Sequence, residues 1–406
     1  MRIPGPLRHG QSGSVPGVRL GPAFGTIGGF DGPRIPRDDA PEETCDDPTM
    51  PYDAVTGKRT HPLVADRRPL VAVGSVWAMT APQHDPAVSI TVWITLWTVA
   101  TEGRLRSGMH LPTAVNRLAT RALIAPLLAP TLPVALRRRG LDLVGASLPL
   151  PRGTRRDLGT LGGVPTAVVA PPGPLAPHRV LYLHGGGYLV GSSASHRPLL
   201  AGLAHATGSA VLAPHYRLAP EHPFPAALDD AYAAWAALRA AGIPARHIAV
   251  AGDSAGGGLT MSLLLRLRAT GEDLPGSIGL ISPWLDLSCT ADALTRNVAS
   301  DAMLDPSWLP DAVTDYAGPH TGVPELLPLD ADLAGLPPLH VVAGADEILV
   351  DDADTLVERA RAAGTPVTYE RAPGMWHAFP TLAGLLAEAD ASLRTLGLAL
   401  RADCLR

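Results

Sequence analysis

The sequence predicts an α/β protein: a mostly parallel sheet flanked by helices, with a helical cap above it. Three observations predict this. From Met109 onward, short apolar runs alternate with segments of helical spacing, as in chains that lay successive parallel strands beside one another through crossover helices. Gly252-Asp253-Ser254-Ala255-Gly256 has the Gly-x-Ser-x-Gly form and lies between a strand-like run, His247 to Ala251, and an apolar helical run, Ala255 to Ala269. That strand–turn–helix setting pushes a serine hydroxyl into the open. Third, His184-Gly185-Gly186-Gly187 follows another apolar run, and consecutive glycines let backbone N–H groups approach a developing oxyanion closely.

The elements read in order. His110 to Arg139 has helical spacing of Leu and Ala, broken by Pro126, Pro130 and Pro133 into short helices or turns. Arg137-Arg138-Arg139 reads as a solvated helix end. Leu158 to Ala170 reads as a hairpin around Gly162-Gly163, and Arg179 to Leu183 as a buried strand. A helix is expected over His196 to Thr207, a strand over Ser209 to Ala213 and a helix over Ala226 to Ala240. The elbow follows, then a strand at Ser277 to Ser282. Pro338 to Ala343 reads as a strand, Asp351 to Ala363 as a helix, Val367 to Arg371 as a strand, and Thr381 to Leu396 as a closing helix before a tail at 399–406. Between Trp284 and Pro337 the alternation lapses, with one helical stretch near Ser307 to Tyr316. An insertion of that size above a sheet is usually functional, often a lid.

Composition narrows the function classes. Of the 406 residues, 46% are hydrophobic and 17% charged, enough apolar content for a large core. A net charge of −5 and no Arg/Lys stripe interleaved with aromatics argue against nucleic acid. Lys58 is the only lysine, which with abundant Ala, Gly, Pro and Arg reads as codon bias. Cys45, Cys289 and Cys404 are too few and scattered for a disulfide framework or a metal site, and fit a reducing cytoplasm. Met1 to Gly10 lacks the apolar core of a secretory signal. Ala87 to Ala100 is apolar but spans only about 14 residues, short of the roughly 20 needed to cross a bilayer. Residues 1–108 are rich in Pro, Gly and Asp without sustained periodicity. They are expected to be a poorly ordered extension, dispensable for folding and catalysis, with Met109 as a candidate start.

Six strings carry a family resemblance: HGGGY at His184 to Tyr188, YRLAPEHPFPAALDD at Tyr216 to Asp230, GDSAGGGL at Gly252 to Leu259, SPWLDLS at Ser282 to Ser288, GADEILVDDA at Gly344 to Ala353, and PGMWHAF at Pro373 to Phe379. In that order they resemble the GDSAG-bearing carboxylesterases of the bacterial hormone-sensitive lipase family, which have the α/β-hydrolase fold. The resemblance covers about Met109 to Leu398. His215 departs from it, where an Asp or an apolar residue is expected, and lies outside the catalytic set.

A serine hydroxyl is a poor nucleophile near neutral pH, so it needs a base in hydrogen-bond reach and an acid to orient that base. The resemblance implies Ser254 as nucleophile, His377 as base and Asp346 as acid, with Glu347, Asp351 and Asp352 as near competitors for the last role. It implies an oxyanion hole from the N–H groups of Gly186, Gly187 and Ala255. The last of these stands at a helix N-terminus, where donors and dipole favour negative charge. Asp253 is expected to point away from the base in a structural role; His222 and His340 are likewise read as structural. The cap is expected to combine residues 109–145 with 285–336, and Tyr188, Met303 and Leu309 are candidates to line a substrate pocket.

The expected function is serine carboxylic ester hydrolysis on small to medium acyl groups through an acyl-enzyme. The alternatives are a lactone hydrolase or an acetyl-hydrolase or deacetylase using the same site, and, from another class, a non-catalytic ligand receptor. The presence of His377 argues against the receptor. No metal or organic cofactor is expected. The expected partner is a small-molecule ester, without nucleic acid or stable membrane insertion; a homodimer is left open.

Overall fold

The computed structural model describes residues 110–406; the expectations for 1–108, the Ala87 to Ala100 run included, lie outside the described residues. Eight strands form one sheet: β1 (Arg155–Leu161), β2 (Val164–Ala170), β3 (Arg179–Leu183), β4 (Val211–Pro214), β5 (Ile248–Asp253), β6 (Ser277–Ile281), β7 (Leu339–Gly344) and β8 (Val367–Ala372). Their spatial order is β1-β2-β4-β3-β5-β6-β7-β8. The β1–β2 and β2–β4 pairs are antiparallel, and every pair from β4 through β8 is parallel. The first pair is the hairpin expected around Gly162-Gly163, with Leu161 opposite Val164.

The central strands read as continuous apolar runs because helices cover both faces. Val180 to Leu183 on β3 and all of β5 are buried. The helices, in chain order, are α1 (Thr113–Ala119), α2 (Ala125–Leu128), α3 (Val134–Ser147), α4 (Arg197–Thr207), α5 (Ala226–Ala240), α6 (Ala255–Ala269), α7 (Ala293–Arg296), α8 (Leu309–Tyr316), α9 (Val350–Ala362) and α10 (Ala387–Cys404). Trp235 on α5 and Leu199, Leu200 and Leu203 on α4 are fully buried, and each such side chain contributes about 1.5–3 kcal/mol through burial. None of these helices is long and apolar enough to cross a membrane.

The closing helix departs from expectation at both ends. Phe379–Leu382 is a single 3₁₀ turn, α10 starts only at Ala387, and it runs through Cys404. Most of the expected 399–406 tail is therefore helix, anchored by buried Leu400 and Cys404. Asp403 on that last turn accepts from the His340 Nε2 on β7 at 2.7 Å and from Ser277 Oγ on β6 at 2.9 Å, a structural use of His340.

The segments from 113 to 147 and from 301 to 316 meet above the sheet. A π-helical turn, Thr120–Ile124, joins α1 to α2. Arg137 corrects the expectation of a solvated helix end. Its helix begins at Val134, so it stands in the first turns of α3, where it is 4% exposed. Its Nη2 donates to Leu128 O at 2.7 Å and its Nε to Leu127 O at 3.3 Å, capping the end of α2, and its guanidinium lies 5.7 Å from the centre of the Trp308 ring. Arg138 donates to Glu221, Ala219 O and Leu189 O. Two of the three arginines thus hold the cap together and fasten it to the loops below.

Candidate active site

Ser254 sits between β5 and α6 at φ 52°, ψ −124°, a backbone conformation costly for a residue with a Cβ and typical of functional turns. The turn closes only because glycines flank it. A Cβ at Gly256 would lie 2.0 Å from Leu183 O, and one at Gly252 would lie 2.3 Å from Gly256 O. The strained turn is pinned from both sides, as Ser254 N donates to Ile281 O at 2.9 Å and its carbonyl accepts from Trp284 N at 3.0 Å.

The glycine string after β3 turns back over this elbow. Gly186 has φ 119° and Gly187 φ 62°, and the Gly186 carbonyl takes the N–H groups of Leu189 and Val190. Among the described residues, the N–H groups of Gly186, Gly187 and Ala255 donate to no protein acceptor, which leaves them available to a ligand oxygen. Gly187 also needs to be glycine because the edge of the Trp308 ring lies 2.5 Å from where its Cβ would be.

His377 occupies the loop after β8 and is 2% exposed. Its Nδ1 lies 3.8 Å from Glu347 Oε1. That is longer than a hydrogen bond, yet neither atom has another partner, and apo sites commonly tighten such contacts when substrate binds. Glu347 is fully buried, and its Oε2 accepts from Ser282 Oγ at 2.6 Å and from Gly344 N at 2.8 Å. Ser282 Oγ in turn accepts from Ala378 N at 3.0 Å, so one hydroxyl ties the acid to the loop of the base. Asp301 closes the frame, accepting at Oδ1 from Met303 N at 2.9 Å and at Oδ2 from Ile348 N at 3.0 Å. Burial opposes charge on His377, but Glu347 first, then Asp301 and Asp253, hold its pKa above the ordinary histidine value.

Asp346, the expected acid, is not brought to the base. Its side chain is 32% exposed and pairs with Arg117 Nη2 at 2.9 Å; Arg117 also donates to Gly374 O at 2.6 Å and stacks 5.1 Å from the Trp376 ring. Arg117 therefore ties α1 both to the turn carrying Asp346 and to the loop carrying His377, while the side chain after Asp346 points inward. Of the other competitors, Asp351 pairs with Arg296, and Asp352 accepts from Leu285 N and Asp286 N.

Ser254, His377, Gly186 and Gly187 line one cavity of about 80 Å³. Its walls are mostly apolar and come from the cap: Ile124, Leu128, Leu141, Val144, Met303 and Trp308. Met303 thus faces the cavity, but Tyr188 and Leu309 do not. Tyr188 is 2% exposed and stacks face to face on Tyr316 at 3.6 Å, and Leu309 is 1% exposed on α8, so both belong to packing beneath the cap. No motif in the sequence marks Ile124, Leu128 and Trp308; only the folded cap brings them over the serine. Among the described residues no cluster of three or more His, Cys, Asp or Glu could hold a metal ion.

A serine on a strained elbow, a buried histidine facing a carboxylate, and free N–H groups beside them define a serine hydrolase of the α/β-hydrolase class. Comparison with known proteins narrows this. The family profile for the alpha/beta hydrolase fold matches residues 180–381. An acetyl-hydrolase of Streptomyces hygroscopicus is 44% identical over 223 residues, covering 55% of this chain and 75% of that protein. An ethyl acetate hydrolase of Pseudomonas putida is 37% identical, covering 54% of this chain and 71% of that protein. Among solved structures, an esterase of the bacterial hormone-sensitive lipase family superposes with a TM-score of 0.68 at 36% identity, over 73% of this chain and all of that one. The chain belongs to the bacterial hormone-sensitive lipase family of α/β-hydrolases.

Proposed function

We propose that this enzyme hydrolyses short-acyl carboxylic esters, acetyl esters foremost, through an acyl-Ser254 intermediate. Ser254 Oγ attacks the acyl carbonyl while His377 Nε2 takes its proton, and Glu347 holds the imidazole in place from Nδ1. The N–H groups of Gly186, Gly187 and Ala255 receive the oxyanion. His377 then protonates the departing alcohol, and water attacks the acyl-enzyme by the same route in reverse.

The observation that carries this reading is an apolar cavity of about 80 Å³ lined by both Ser254 and His377, well below the roughly 300–1,000 Å³ of drug-sized ligand sites. Trp308 limits the cavity on the oxyanion side, wedged between Gly187 and Arg137. The names of the relatives, an acetyl-hydrolase and an ethyl acetate hydrolase, support small acyl groups. The free thiols of Cys289 and Cys404 support the expected reducing, cytoplasmic setting. The test is a series of p-nitrophenyl esters from acetate to dodecanoate, with a lactone and emulsified triglyceride alongside. Highest kcat/KM on acetate, falling as the acyl chain lengthens and steeply beyond eight carbons, is the expected result. A higher kcat/KM on long-chain triglyceride than on soluble butyrate would overturn it.

A further inference from the structure

A second buried histidine–carboxylate pair adjoins the nucleophile, and the reaction steps above do not use it. Asp253 immediately precedes Ser254, and its Oδ2 lies 3.1 Å from Nε2 of His196, the residue just before α4. The two side chains are 3% and 9% exposed, and both line the cavity that holds Ser254. The Asp253 Oδ1 accepts from Tyr182 OH at 2.8 Å and from Gly185 N at 2.9 Å. A Cβ at Gly185 would lie 2.2 Å from Asp253 Oδ2, so the carboxylate is packed flush against the first glycine of the oxyanion string. One carboxylate therefore joins the nucleophile's strand, the oxyanion loop and the start of α4.

Both ring nitrogens of His196 face acceptors. Nε2 meets Asp253, and Nδ1 lies 3.1 Å from Ser192 O. Ser195 Oγ, 2.9 Å from Nδ1, has its own carbonyl acceptor in Ser192 O at 3.0 Å. A proton donated from each nitrogen would make the ring a cation. Burial opposes that charge, but the Asp253 carboxylate, the Ser192 carbonyl and Asp142 hold the His196 pKa above its ordinary value. The charge matters because a bare carboxylate next to Ser254 would oppose the negative charge that develops in the oxyanion hole, and its field already reaches His377. A cationic His196 would cancel it.

We propose that His196 is a positioning residue for ester hydrolysis: paired with Asp253, it fixes the oxyanion loop on the nucleophile elbow and neutralises the carboxylate beside the reacting serine. This rests on the short-acyl ester hydrolase reading. It separates contributions to the transition state from contributions to ground-state binding, because loop register and local charge count only when the oxyanion forms.

The test compares wild type, His196→Gln, and the double variant His196→Gln with Asp253→Asn on p-nitrophenyl acetate across pH, with melting temperatures measured for each. Glutamine keeps a donor toward Asp253 but removes the charge; the double variant restores a neutral, hydrogen-bonded pair. His196→Gln should lower kcat about 10- to 100-fold with KM changed less than about threefold, the scale expected for misplacing or opposing one oxyanion donor. Its rising pH limb should also move to higher pH, because an uncancelled Asp253 charge joins Glu347 and Asp301 in stabilising protonated His377. The double variant should recover most of kcat and return the limb toward wild type. It also serves if the single variant does not fold, where kcat within about tenfold of wild type supports the proposal and a deeper loss contradicts it. Unchanged kcat and pH limb in a folded His196→Gln would overturn the role of His196 while leaving ester hydrolysis intact. Absence of hydrolysis by wild type would overturn the ester hydrolase reading, and this inference with it.

Discussion

Asp346 and Glu347 are neighbours with opposite environments. Asp346 meets Arg117 at the surface, whereas Glu347 is fully buried against Ser282, Gly344 and His377. The sequence pattern narrowed the acid to a short run but favoured the member that the fold turns away from His377, because the orientation is set by contacts far away in the chain. Arg117 comes from α1, and Ser282 follows β6. Glu347→Gln should therefore lower kcat/KM on p-nitrophenyl acetate by a thousandfold or more, about what misorienting a triad base costs; Asp346→Asn should stay within about fivefold. The reverse ranking would make Asp346 the acid. The pH profile gives a second reading. A base works only when neutral, and the carboxylates around His377 raise its pKa above 6.5. Activity should then rise with pH through an apparent pKa on the alkaline side of that value, and Glu347→Gln should move it down. A wild-type limb below 6.5 would contradict the placement of these carboxylates.

Among elements, the strands and the elbow were the most legible, because parallel strands buried on both faces leave continuous apolar runs and the serine turn demands glycines at fixed positions. The cap was the least legible. The spacing from His110 to Arg139 implied helices but gave no sign that Arg137 would be buried, since its partners are carbonyls at the end of α2 and the Trp308 ring of the other cap segment. Tyr188 and Leu309, read as pocket residues, are packing beneath the cap, and the wall is made instead by Ile124, Leu128 and Trp308. If Trp308 is what shortens the pocket, Trp308→Ala should raise the octanoate-to-acetate ratio of kcat/KM by about tenfold, the gain from burying roughly two more methylenes at about 0.8 kcal/mol each. An unchanged ratio would mean that α3 and the Ile124–Leu128 wall set the limit.

At the scale of the whole molecule, the order of motifs along the chain was enough to specify the sheet and place Ser254 and His377 beyond the C-terminal ends of its strands, while the pairing of cap with sheet needed the folded structure. Every motif lies beyond Met109, and a solved esterase is matched along its full length by 73% of this chain. A protein comprising residues 109–406 is expected to melt within a few degrees of full length and keep its kcat; insolubility or a tenfold loss in kcat/KM would show that residues 1–108 take part. The central claim is that Ser254 carries the acyl group. Rapid quenching of wild type during turnover of p-nitrophenyl acetate, followed by peptide mass spectrometry, should find an acetyl group on Ser254 and none in Ser254→Ala, which should also lose hydrolysis. Acetylation of another residue, or turnover persisting at wild-type rate in Ser254→Ala, would contradict the account.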